Sequence, residues 1–370
     1  MITENPDKFG FYSVGDLKTY SKVEAIELSK STGKESIWHF NDEIFSSLDW
    51  KQDPNLSLLD LYKVRARQIR DAYDHIVLFY SGGSDSHNIL KCWLQADCKI
   101  DEIASFYNYD ATKDKQSYLN AEITNVVIPH IELLKQHGFD FKFRLIDISQ
   151  LSLDVINEFD ADYLYLINRN FSPNNPAKTI IRNKIRDYQD IIASGKRLCF
   201  VWGIEKPVVS HDGARYYASF NDSVDNVVNP FVQNNFYNGW YDELFYWTPD
   251  LPLLPIKMAH ELKNFMNNNL DTQFYQDSFA PHAYNAVLKK YLTFDATKTI
   301  LYPFWDPDTF CNGKTRSMIF SKRDLWLWDG NILEIDKYRS NISNMVKSLG
   351  VEWVDSKNIR IHSSPRYYLE

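Results

Sequence analysis

The chain has 370 residues, enough to bury a large core and to hold two domains or one domain with appendages, and its 44% hydrophobic and 24% charged make-up is ordinary for a globular protein in water. A net charge of −8 argues against broad, sequence-independent attraction to nucleic acid or anionic membrane, and no run of about 18 apolar residues offers a membrane span. The first residues lack the basic and apolar regions of a signal peptide, so a cytoplasmic protein is expected.

Aromatic residues make up 15% of the chain, a share that points to core and sheet packing more than to a base-stacking surface. Cys92, Cys98, Cys199 and Cys311 form no Cys-x-x-Cys pair, which leaves buried thiols as the reading and writes neither a zinc site nor a disulfide framework.

In chain order, residues 1–56 show short aromatic pieces, such as Ser36-Ile37-Trp38-His39-Phe40, without a clear period and read as an N-terminal extension. A helix is expected over 57–73, with Leu58, Leu61, Tyr62, Ile69, Ala72 and Tyr73 on its apolar side. Lys63, Arg65, Arg67 and Arg70 lie mostly outside that stripe and read as a solvated face.

The apolar run 76–80 is short, β-branched and aromatic, the pattern of a strand buried on both faces, and it stops at Ser81-Gly82-Gly83. Ile89, Leu90, Trp93 and Leu94 then recur at helical spacing, with Ser84 or Asp85 placed to cap the first turn. Strand, glycine loop and helix aim backbone N–H groups and the positive end of a helix dipole into one concavity, where a phosphate fits. Ser81 and Ser86 offer hydroxyl donors there, and Asp85 is a hard oxygen ligand suited to Mg²⁺ carried in with the phosphates. An ordinary tight turn between strand and helix is the plain alternative.

Alternation of strands and helices continues. A strand is expected over 100–109, followed by a helix carrying Leu119, Ile123, Val126, Val127, Ile131 and Leu134 that Pro129 kinks or divides. A third strand covers 139–148. A helix opens at Asn175-Pro176, bears Ile180, Ile181, Ile185, Tyr188 and Ile192, and stops at Gly195. The next strand, 198–203, ends before Lys206. Ligands of parallel sheets sit at the carboxyl ends of the strands, so Gly203 and Lys206 are expected beside the Ser-Gly-Gly loop, with Lys206 placed to offset charge developing on phosphate. A surface lysine before a proline is the competing reading of Lys206.

Ser210-His211-Asp212-Gly213-Ala214-Arg215 reads as a turn between two strand-like runs. Residues 221–247 are rich in Asn and aromatics without periodicity, a structural belt or a lid. Helices are expected at 253–266 and 281–292. Residues 300–370 read as an α+β appendage, with Lys314, Arg316, Lys322 and Arg323 the most basic surface.

Ser81-Gly82-Gly83-Ser84-Asp85-Ser86 matches the Ser-Gly-Gly-x-Asp-Ser signature of the PP-loop ATP pyrophosphatases, and it is not a Walker A loop because no Gly-Lys-Ser/Thr follows at the required spacing. Over residues 70 to 110 the chain resembles that superfamily, which includes the synthase domain of asparagine synthetase, GMP and NAD synthetases, 7-cyano-7-deazaguanine synthases and tRNA thiolation enzymes. Its overall character is similar to that of PP-loop proteins of tailed phages. The resemblance implies ATP and Mg²⁺ as cofactors, cleavage of ATP between its α- and β-phosphates, and transfer of AMP to a carbonyl or carboxyl oxygen. Ser81, Gly82, Gly83, Ser84 and Ser86 would hold pyrophosphate and Asp85 the metal. Asp110, at the end of the second strand, would lie near the ribose or Mg²⁺, or else cap the next helix. Asp212 is loosely similar to the acidic Gly-Asp-Gly segment of asparagine synthetases, which would make it a second metal-facing acid. The missing cysteine pairs disfavour sulfur chemistry. Ile2 stands where a glutaminase domain would need its cysteine, so nitrogen would come from another protein, free ammonia or an amine.

The expected architecture is therefore α/β, a parallel sheet flanked by helices of the adenine nucleotide α-hydrolase type. It divides as an extension at 1–56, an ATP-binding domain at 57–220, a mostly helical region at 221–299 and an α+β piece at 300–370. The expected function is ATP-dependent adenylation of a small carboxylate or amide-type carbonyl followed by attack of an amine or ammonia, with Asp85 and Lys206 as catalytic residues. A nucleotide-holding sensor or assembly module and a nucleobase-modifying enzyme are the alternatives.

Overall fold

A computed structural model describes residues 6–109, 120, 122–157, 174–204, 206–222, 239–269, 296–304, 336, 340, 344, 347, 353–355, 358–359 and 362–370. The N-terminal part, expected to lack periodic structure, forms a three-stranded antiparallel sheet of β1 (Phe11–Val14), β2 (Leu17–Thr19) and β3 (Ser36–His39), in the order β2-β1-β3. Helices α1 (Lys22–Thr32) and α2 (Asp42–Ser46) accompany it.

Helix α3 (Leu58–Ala72) starts where Ser57 accepts the Asp60 N–H, and the Ser57 hydroxyl donates back to the Asp60 carboxylate at 2.6 Å. It buries Leu58, Leu61, Tyr62, Ala66 and Ile69 as the spacing requires. Arg65 is a correction: it is fully buried rather than solvated, and the reason lies in the central sheet.

That sheet is parallel and five-stranded: β4 (His75–Phe79), β5 (Glu102–Tyr107), β6 (Lys142–Asp147), β7 (Leu198–Trp202) and, past the hairpin described below, a strand at Trp240–Leu244. Helix α4 (Ser84–Gln95) follows β4. After β5 the chain makes one π-helical turn, Ile123–Val127, and runs on as α5 (Ile128–Gln136). Pro129 sits in the first turn of α5; it has no N–H to give the preceding turn and its ring crowds the carbonyl there, so the expected division appears as a widened turn. Helix α6 (Ser149–Asn157) follows β6. The single helix expected next is two, α7 (Asn174–Lys184) and α8 (Arg186–Ala193), parted at Ile185, whose backbone is extended.

Beyond β7, strands β8 (Val208–His211) and β9 (Tyr216–Ser219) form the expected hairpin. Trp240–Leu244 is β10, so residues expected to form a belt or lid complete the sheet edge. Helices α9 (Leu253–Asn269) and α10 (Ala296–Leu301) come next, then short strands β11 (Trp353–Asp355), β12 (Asn358–Ile359) and β13 (Tyr367–Tyr368), the last pairing with β9. The helix expected at 281–292 and the basic residues Lys314, Arg316, Lys322 and Arg323 lie outside the described residues.

The sheet order is β10-β7-β4-β5-β6. Chain order runs outward from β4 through β5 to β6, then returns to β7 on the other side of β4. The strand order thus reverses between β4 and β7, the place where sheets of this kind open a crevice at their carboxyl ends.

β10 explains Arg65. Successive strand residues face opposite sides, so its two carboxylates part. On one side Asp242 accepts from Arg182 Nη1 of α7 and Trp202 Nε1, both at 2.6 Å. On the other Glu243 accepts from Arg65 Nη2 of α3 at 2.8 Å, Lys8 Nζ at 2.9 Å and the Tyr73 hydroxyl at 2.5 Å. One edge strand is thereby ionically tied to the helices on both faces.

Candidate functional site

The site begins at the end of β4. The Tyr80 N–H bonds Ala104 O at 2.9 Å, after which the chain leaves the sheet through Ser81. Gly82 takes φ +80°, and a Cβ there would lie 2.8 Å from Glu122 O, beside the π turn; only glycine satisfies both demands. The loop braces itself: the Ser86 hydroxyl donates to Gly83 O at 3.0 Å and accepts the Ser81 N–H at 3.1 Å, while Ser81 Oγ accepts the Gly83 N–H at 3.2 Å. The helix N-cap is consequently Gly83, with no side-chain cap, and Ser84 and Asp85 fall in the first turn instead of capping it. As in any first turn, their N–H groups receive no partner from within the helix itself. The Ser84 hydroxyl is buried without a hydrogen-bond partner.

Gly203 is brought beside the loop by the pairing of β7 with β4. A Cβ on it would meet Asp85 C and Ser86 N at 3.2 Å and Ile89 Cδ1 at 2.8 Å, so the bare backbone is a condition of the close approach. From the same strand end Lys206 reaches across, its Nζ 2.6 Å from Asp85 Oδ1. The expected juxtaposition of Ser81, Gly82, Gly83, Ser84, Asp85, Ser86, Gly203 and Lys206 is what the structure brings together.

Two further residues, Tyr246 and Tyr302, which periodicity did not reveal, join the cluster. Tyr246, two positions beyond β10, donates to the backbone Asp85 O at 2.8 Å and accepts from Asn88 Nδ2 at 3.0 Å. Tyr302, just after α10, donates its hydroxyl to Asp85 Oδ1 and stacks on Tyr246 with ring centroids 5.7 Å apart. Burial, and after it nearby groups including the Asp85 charge, raise the pKa of both phenols well above the ordinary value, so both remain protonated donors. Recognising β10 as a strand would have placed Tyr246 at a sheet end; no sequence signal marks Tyr302, which lies 217 residues from Asp85.

Behind the loop, the Tyr80 hydroxyl lies 3.0 Å from His87 Nδ1 and 3.2 Å from His130 Nδ1. Burial and then the Lys91 charge lower the His130 pKa to about 4.

Asp110 lies outside the described residues. Asp212 lies in the β8–β9 hairpin, where its Oδ1 accepts the Ala214 and Arg215 N–H groups at 3.1 and 2.9 Å and its Oδ2 the Tyr368 hydroxyl at 3.1 Å. These turn contacts lower its pKa. Among the described residues no three His, Cys, Asp or Glu side chains gather as a metal site; Asp85 is the hard oxygen ligand in the cluster. The fit to a polyphosphate rests on the close approach at Gly203, on the first-turn N–H groups of α4 and on the partnerless Ser84 hydroxyl. Among the described residues no helix is long and apolar enough to cross a membrane.

No protein-family model matches the chain, and no curated protein matches it. Among solved structures, an NH3-dependent NAD synthetase from Campylobacter jejuni subsp. jejuni NCTC 11168, in complex with the nitrate ion, is similar at 12% identity and a TM-score of 0.30, over 72% of this chain and 100% of that one. That likeness is too loose to bear on the site.

Proposed function

We propose that this protein uses ATP to adenylate a small carboxylate or amide-type carbonyl, releasing pyrophosphate, and that an amine or ammonia then displaces AMP, as in asparagine synthetases. The observation that carries the reading is the Ser-Gly-Gly-x-Asp-Ser loop at the reversal of strand order, with Lys206 crossing from β7 to Asp85 at 2.6 Å. The first-turn N–H groups of α4 and the Ser81, Ser84 and Ser86 hydroxyls would hold the β- and γ-phosphates, with Gly82, Gly83 and Gly203 letting them come close. Asp110 would reach the ribose. Magnesium, when bound at Asp85 with Asp212 as a candidate second ligand, would neutralise charge on the phosphate oxygens.

Chemistry then follows from where the donors stand. An acceptor oxygen attacks the α-phosphorus, the bond from that phosphorus to the bridging oxygen breaks, and pyrophosphate departs with the electron pair. Lys206 and the helix terminus stabilise the charge that builds on it. The amine next adds to the activated carbonyl carbon, AMP leaves, and the surplus proton on nitrogen passes to water. Atoms and charge balance as amide, AMP, pyrophosphate and a proton from a carboxylate, and as amidinium, AMP, pyrophosphate and a proton from an amide carbonyl.

The test is nucleotide chromatography after incubating the protein with Mg-ATP, ammonium and a panel of carboxylates and amides. AMP and pyrophosphate in equal amounts are expected. ADP as the product would overturn the proposal. A second reading, a module that holds nucleotide without turning it over, is favoured by the engagement of Asp85 Oδ1 by both Lys206 and Tyr302; tight Mg-ATP binding with no AMP from any acceptor would select it.

A further inference from the structure

Tyr302 is fixed from three sides that do not involve its hydroxyl. Its N–H bonds Lys298 O at 2.8 Å, the preceding Leu301 O accepts the buried Tyr62 hydroxyl at 2.8 Å, and its ring lies against Tyr246. The Lys206 ammonium stands 5.6 Å from the ring centroid, a cation–π distance. The hydroxyl adds one thing: it donates to Asp85 Oδ1, the oxygen that also accepts from Lys206. Lys206 and Tyr302 thus converge on one oxygen of a carboxylate whose side chain is partly exposed.

A carboxylate oxygen that ligates a hard cation gives its electron density along the same directions that hydrogen-bond donors use. A phenol hydroxyl aimed at that oxygen therefore competes with the cation. The ammonium differs, because it can move onto an incoming phosphate and keep an anionic partner. The phenol, protonated and tethered through its backbone, gains no such replacement.

We infer that Tyr302 is the gating residue of this site, its hydroxyl holding Asp85 Oδ1 against divalent cations. The role rests on the proposed assignment of Asp85 as metal ligand. Tyr302 is a positioning residue and takes no part in bond-making.

Tyr302→Phe keeps the ring, its stacking and the Leu301 carbonyl contact, and removes only the competing donor. The full-length chain is titrated with Mn²⁺ alone, followed by water-proton relaxation, and separately with ATP in Mg²⁺ or in chelator, followed by calorimetry. Tyr302→Phe is expected to bind Mn²⁺ about tenfold more tightly than the natural chain, a factor worth about 1.4 kcal/mol, and Asp85→Asn in the same background is expected to abolish the gain. A merely structural hydroxyl would lower the melting temperature and leave the Mn²⁺ affinity unchanged or weaker, and that result overturns the gate. The nucleotide reading fails separately. If neither chain binds ATP in Mg²⁺ or chelator while the Asp85-dependent Mn²⁺ gain persists, the gate stands without the nucleotide. If both chains bind Mg-ATP with the same metal dependence and the same Mn²⁺ affinity, the nucleotide stands without the gate.

Discussion

Asp85 and Glu243 are built from the same parts and do different work. Each carboxylate meets a cation and a tyrosine hydroxyl: Lys206 and Tyr302 at Asp85, Arg65, Lys8 and Tyr73 at Glu243. Burial separates them. The Glu243 side chain is 2% exposed and that of Asp85 27%. Burial alone would raise the Glu243 pKa; Lys8, Arg65 and the Tyr73 hydroxyl outweigh it and hold the group below its ordinary range, an arrangement that works only while every partner stays. At Asp85 water can take over from a departing donor, so partners there can be exchanged. A locked cluster staples the sheet; an exchangeable one can bind.

The largest expected effect tests the locked half. Glu243→Ala would strand Arg65 and Lys8 in the interior and is expected to cost about 3–5 kcal/mol in urea unfolding. Asp85→Asn, leaving a partly solvated Lys206, is expected to cost less than about 1 kcal/mol. Equal losses would break the distinction between the two clusters. Next in size is Gly203→Ala, whose added methyl presses on Asp85 C and Ser86 N; about 1–3 kcal/mol of overpacking is expected, together with loss of the melting-temperature rise expected of the natural chain with Mg-ATP. Retention of that rise would show that the close approach of β7 to the loop does not serve the ligand.

The smallest effect is a pH slope from the groups behind the loop. His130 has its pKa lowered from 6.5 to about 4, so between those values the unfolded chain binds the proton more readily than the folded one. Stability is therefore greatest above about pH 6.5 and falls as pH drops toward 4. The urea midpoint of the natural chain should decline over that window, and that of His130→Phe should decline less. Identical slopes would remove His130 from the account.

The part of the site that could be read from the chain is the part held together by neighbours in sequence. Residues 76–86 carry a period change and a glycine pair, and Lys206 follows an apolar run that reads as a strand whatever surrounds it. β10 hides because Trp-Tyr-Asp-Glu-Leu carries two carboxylates, and their burial depends on Arg182, Arg65 and Lys8, which lie 235 residues away in the case of Lys8. Arg65 reads as solvated for the same reason from the other side: its place outside the apolar stripe looks exposed until Glu243 is placed. The N-terminal strands, of three or four residues each, are too short for alternation to show. Gly83 replaced Ser84 or Asp85 at the cap because the Ser86 hydroxyl turned back into the loop, a choice made by three-dimensional closeness and invisible to spacing.

The order of strands has a consequence for the growing chain. β4 can pair with β5, and β5 with β6, as soon as they are made, within about seventy residues, but the other edge of β4 waits for β7, and β7 in turn waits for β10. Until Leu198–Trp202 leaves the ribosome, one edge of N–H and C=O groups on the apolar strand His75–Phe79 has no neighbour, the condition under which nascent strands pair with the wrong partner. The Ser-Gly-Gly loop is thus formed locally and early, whereas Asp85 meets Tyr302 only after most of the polypeptide has been synthesised. A truncated product ending before α10 would carry the loop without its phenol, so ribosome stalling in this stretch would release chains whose Asp85 keeps Lys206 but lacks Tyr302.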